Sequence, residues 1–142
     1  MAEWVETCRG AVSPWQCDVY GHMNVQHHMA ALSDADFGIL VHLGFGPRTS
    51  AARGLGMSGV HFGLDISAEL RAGDPWLVQS TVGRVGTKSL TFAHRMRNPE
   101  SGQEIMTAEI VMVPIDMEAR ASRPLPDDLR AAAAAMMAAA GS

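Results

Sequence analysis

A change of period midway along the chain most constrains what it can fold into. From Val25 the apolar residues Val25, Met29, Leu32, Ile39, Leu40 and Leu43 recur at helical spacing, and Gly44 followed by Pro47 supplies the stop signal. Asp34, Asp36 and Gly38 interrupt the run without abolishing it. Past a glycine-rich connection at residues 53–57 the pattern becomes strand-like, with segments at 60–70, 76–85, 90–97 and 103–115 divided by turn residues. Trp76, Val78, Ser80 and Val82 share one face of the second segment, and residues 98–102 read as a hairpin loop. Residues 4–12 read as a first strand that stops at Ser13-Pro14, and residues 14–24 as a loop. The order of strand, long helix and four strands predicts an α+β domain, a curved antiparallel sheet wrapped around one long central helix.

With 142 residues the chain reads as one domain, placed at 1–126 and followed by an Ala/Met-rich tail at 127–142. The stretch 131–140 is a terminal helix by propensity or, on the plainer reading, a frayed end. Apolar residues make up 47% and charged residues 18%, ordinary globular usage, and no apolar run reaches the length of a membrane span. A net charge of −4 argues against a general nucleic-acid partner. The N-terminus lacks the basic flank and apolar core of a secretory signal, which makes the cytoplasm the default compartment. Cys8 and Cys17 fit no zinc or redox spacing and read as reduced thiols.

The chemistry concentrates in Cys17-Asp18-Val19-Tyr20-Gly21-His22-Met23-Asn24, where a lone carboxylate stands three residues ahead of a glycine turn that opens the helix. A helix start offers free N–H groups and a partial positive charge, so a carboxylate beside it can act on a substrate whose developing oxyanion those groups stabilise. Asp18 can serve as a general base or as a nucleophile, or it can merely order the loop and cap the helix. Six histidines, His22, His27, His28, His42, His61 and His94, invite a metal reading, but their spacing matches no ligand motif and no metal is expected. His61, on the strand after the helix, lines a pocket or packs in the core.

The Asp18–Asn24 run, the segment Glu69-Leu70-Arg71-Ala72-Gly73-Asp74 and the strand from Ser89 to His94 together resemble the hotdog-fold acyl-CoA thioesterases of the 4-hydroxybenzoyl-CoA thioesterase type. That resemblance covers residues 12 to about 126. It implies the hotdog fold and hydrolysis of an acyl-CoA to free acid and CoA, with no cofactor beyond the substrate's own CoA. It places Asp18 at the essential carboxylate of an Asp-x-x-Gly pattern, makes the backbone N–H of Val25 the oxyanion donor, and gives His22 and Asn24 the shaping of the pocket. Many members carry a second Asn where this chain has Val25 and a Tyr where it has His28, so side-chain hydrogen bonds in the pocket differ here. His28 and His61 are then expected on the acyl side. Arg84, Lys88 and Ser89, in a turn like the family's Lys-Ser stretch, are expected near the nucleotide end of CoA. The resemblance also implies a homodimer or homotetramer with the site at the subunit interface.

Two rivals share the fold. A hotdog enoyl-CoA hydratase or dehydratase usually pairs Asp and His five positions apart, whereas Asp18 and His22 are four apart. A non-catalytic acyl-CoA-binding regulator usually carries a DNA-binding segment, for which the stretch before Trp4 is expected to be too short.

Overall fold

The computed structural model describes residues 4–140. Strand β1 (Val5–Ala11) is followed by a 3-10 turn at Pro14–Gln16 and the long helix α1 (Val25–His42). A short helix α2 (Pro47–Ala52) leads into β2 (Leu55–Ile66), β3 (Pro75–Val85), β4 (Leu90–Arg97) and β5 (Glu104–Asp116). The chain ends in the two-residue β6 (Ala121–Ser122) and helix α3 (Asp127–Ala140). The strands form one antiparallel sheet in the order β1-β3-β4-β5-β2, with β6 on β5. It curls as a half-barrel, so the expected α+β arrangement holds.

Alternation decides which face of each strand is buried. Trp76, Val78, Ser80 and Val82 of β3, Leu90, Phe92, His94 and Met96 of β4, and Met106, Ala108, Ile110 and Met112 of β5 turn inward. Leu32, Ala35 and Ile39 of α1 are fully enclosed against that surface. Gly38 lets the helix come close to β1, because a Cβ there would lie 2.7 Å from the Thr7 carbonyl oxygen.

Two readings need correction. The stretch 53–57 is mostly strand rather than connection: Leu55, Gly56 and Met57 pair with Asp116, Ile115 and Pro114, and cross-strand pairing overrides the low strand propensity of glycine. The same strand ends at Ile66 instead of 70, since the segment after it folds under the α1 start, where the Leu70 carbonyl accepts from Met23 N–H at 2.7 Å. Of the two readings of the tail, the structure takes the helix, and packs it. Asp127 and Asp128 occupy its first turn, Arg53 holds Asp128 at 2.8 Å, and Leu129, Ala133 and Met136 enter the core at helical spacing. Among the described residues no helix is long and apolar enough to cross a membrane.

Candidate active site

The loop between β1 and α1 is built around Asp18. Gly21, at φ 84°, allows a tight turn in which its N–H donates to the Asp18 carbonyl at 3.0 Å, and Asp18 N–H returns to the His22 carbonyl at 3.1 Å. The turn closes on a bridge between Cys17 and Met23. Asp18 Oδ1 accepts from Tyr20 N–H at 2.9 Å and Oδ2 from the Asn24 side-chain amide at 3.0 Å. These two donors, Asn24 first, hold the Asp18 carboxyl below the ordinary value near 3.8. The side chain is therefore an anion at neutral pH.

Asn24 joins the carboxylate to the helix. It is the N-cap of α1, its Oδ1 accepting from Gln26 N–H at 3.0 Å while its own N–H binds the Gln16 carbonyl. The Val25 N–H, first of the helix, makes no hydrogen bond among the described residues. Asp18, His22, Asn24, Val25 and His28 line one cleft of about 380 Å³, closed on its far side by residues 66–69. His22 sits at its rim, 3.8 Å from the Glu69 carboxylate and stacked on Tyr20. His28 is buried: its Nδ1 donates to the Asn24 carbonyl at 3.2 Å, which leaves Nε2 unprotonated and unpaired, and burial pushes its pKa down. It is a neutral ring in the cleft wall.

The other expected residues lie elsewhere in the protomer. His61 pairs with Val111 after a bulge at Val60, which turns it to the sheet face away from α1. Arg84, Lys88 and Ser89 are at the β3–β4 turn, at the far end of β3 from the Asp18 loop. The eleven residues of β3 separate the two ends by about 30 Å.

A second polar chain went unforeseen. Asp36 Oδ1 accepts from His94 Nε2 at 2.8 Å, His94 Nδ1 meets Ser80 Oγ at 2.5 Å, and Ser80 meets Thr7 Oγ1 at 2.7 Å. Ser80 and His94 are enclosed in the core, so this Ser-His-Asp series ties α1 to β4, β3 and β1. Only the pairing of Ser80 with His94 across β3 and β4 brings the members together, and no local spacing announces it. Among the described residues no three His, Cys, Asp or Glu side chains gather as a metal site.

Known proteins place this architecture. The SAV2348 protein of Staphylococcus aureus, solved in complex with CoA, superposes with a TM-score of 0.86 at 17% identity, over 97% of this chain and 87% of its own. Slr0204, a 1,4-dihydroxy-2-naphthoyl-CoA thioesterase from Synechocystis, gives 0.77 at 20% identity, over 89% and 93%. YbaW, a probable thioesterase from Escherichia coli, gives 0.78 at 20%, over 92% and 97%. No curated protein sequence matches the chain significantly. The model of the thioesterase-like superfamily, however, matches residues 12–133, from the end of β1 into α3. The chain belongs to the thioesterase-like superfamily and is a hotdog-fold thioester hydrolase.

Proposed function

We propose that the protein hydrolyses an acyl-CoA to a free acid and CoA at the Asp18 cleft. The observation that carries this reading is the meeting, in one cleft, of an ionised carboxylate and an unengaged N–H at the start of α1. A thioester whose carbonyl oxygen points at Val25 N–H gains stabilisation as the carbonyl becomes tetrahedral and its oxygen takes negative charge. Asp18 then either takes a proton from water, which adds to the carbonyl carbon, or adds its own oxygen to give a mixed anhydride that water cleaves. Either way the C–S bond breaks and CoA leaves as thiolate. Asn24 serves twice, capping the helix that supplies the N–H and fixing the carboxylate beside it.

The 30 Å gap to Arg84, Lys88 and Ser89 closes in a dimer. Strand β2 is an edge strand of twelve residues with Val60 and Phe62 exposed on it, and Phe37 and Val41 of α1 are exposed nearby. Antiparallel pairing of β2 with its copy about their midpoint sets the Ile66 end of one strand beside the Leu55 end of the other. The Leu55 end is the β3–β4-turn end of the sheet, so the partner subunit's Lys88 comes within about three strand spacings, some 14 Å, of that junction. An anionic nucleotide would then meet the partner's cationic turn while its thioester reaches Asp18. Purified protein assayed with a panel of acyl-CoAs and a free-thiol reagent tests the reading. CoA release supports it, and silence across short, medium, long and aromatic acyl groups contradicts it.

A further inference from the structure

A second hollow lies farther along the same face of α1. Val25 lines the Asp18 cleft, and Met29, Leu32, Ser33, Asp36 and Phe37 follow at the spacing that stacks side chains on one helix side. Across from them the inner face of β2 runs from Ile66 back through Phe62, Gly59 and Met57. These residues line a largely apolar, open-mouthed cavity of about 270 Å³, with Phe37 and Phe62 exposed at its rim and Ser33 and Asp36 as its polar side chains.

Asp36 stands out there. It is only 6% exposed, and its Oδ1 is engaged by His94. Its Oδ2 makes no hydrogen bond among the described residues. Nor is it among the fully enclosed side-chain atoms that lack a partner among the described residues. Oδ2 therefore opens onto the cavity that Asp36 lines. A plain alkyl chain filling that space would strip water from a carboxylate oxygen and return no hydrogen bond, which is costly for a buried acceptor.

We propose that Asp36 selects acyl groups that carry a hydrogen-bond donor, a hydroxyl or an ammonium, near the far end of a medium-length chain. This deepens, and rests on, acyl-CoA hydrolysis at the Asp18 cleft. Length follows from the helix: eleven residues from Val25 to Asp36 rise about 16 Å, and because side chains lean toward the helix N-terminus the arm must reach roughly 12–15 Å. That is an extended medium-length chain, longer than a single ring. Donors satisfy Oδ2, whereas ether oxygens and terminal carboxylates leave it unpaired or repelled. The chain of His94, Ser80 and Thr7 behind Oδ1 fixes the carboxylate so that only Oδ2 is offered.

The test measures kcat/KM of the intact protein for decanoyl-CoA, ω-hydroxydecanoyl-CoA, ω-methoxydecanoyl-CoA and para-hydroxybenzoyl-CoA, together with calorimetric binding of free decanoate and ω-hydroxydecanoate. The hydroxylated chain should exceed the alkyl and methoxy chains by about 10- to 100-fold in kcat/KM, and ω-hydroxydecanoate should bind more tightly than decanoate. In Asp36→Asn the amide oxygen keeps the His94 contact and the amide NH₂ faces the cavity, so the methoxy chain should rise to match the hydroxy chain. Equal turnover and equal binding of the hydroxylated and plain chains in the wild type would overturn the proposal, as would an undiminished hydroxyl preference in a folded Asp36→Asn. If that variant does not fold, the wild-type comparison decides alone. Silence of all four thioesters alongside selective binding of ω-hydroxydecanoate would sink hydrolysis and leave the role of Asp36 standing.

Discussion

Asp18 owes its charge to two neighbours, and both can be removed. The Asn24 amide and Tyr20 N–H depress the carboxyl below about 3.8. A group whose folded pKa is depressed contributes stability above its unfolded value and loses it as pH falls through the folded one. With Asp18 in its proposed role the same ionisation governs catalysis, so the acid limb of kcat/KM for the wild type should lie below the ordinary carboxylate value. A limb near the ordinary histidine value of about 6.5 would instead take the role away from Asp18. Asn24→Ala removes the larger of the two causes, so its acid limb should move up. The lost N-cap should also cost about 0.5–2 kcal/mol in a urea titration. At this scale the sequence was legible where partners are close in the chain: Asp18, Gly21, Asn24 and Val25 lie within eight residues. The bond between Asp36 and His94 spans 58 positions and left no trace in spacing.

The elements divide along the same line. Helix α1 and strands β3 to β5 emerge from periodicity because each buries one face. Residues 131–140 hold only Ala and Met and give no polar face to contrast, so the packing of α3 could not be read. Leu129 is nevertheless enclosed, and Leu129→Ala should cost about 2–5 kcal/mol in urea unfolding, where a loss under 1 kcal/mol would make α3 an ornament. The glycines at 54, 56 and 59 disguised the start of β2, whose strand state is decided by its partner β5. The buried polar chain is a second element-level anchor. His94→Leu leaves the Asp36 carboxylate without its donor and should destabilise by about 3–5 kcal/mol, read in the same urea titration.

At the scale of the whole molecule, one protomer brings Asp18 and the Val25 N–H into one cleft and leaves its own Arg84–Lys88 turn at the far end of β3. Pairing through β2 should give a species of at least twice 15.2 kDa by light scattering at micromolar concentration. Val60→Glu, a charge on that exposed edge, should weaken the pairing and raise KM for the CoA ester more than it lowers the melting temperature. A fully active 15.2 kDa monomer would contradict the shared site.

The proposed dependence of hydrolysis on Asp18 is tested most directly by Asp18→Asn, since the amide keeps the size of the side chain and removes its charge. On the best acyl-CoA of the panel, kcat should fall by about 10² to 10⁴ while the melting temperature stays near that of the wild type. A variant that melts normally and still releases CoA within a factor of about three of the wild type would show that Asp18 orders the loop and that the reaction is carried elsewhere.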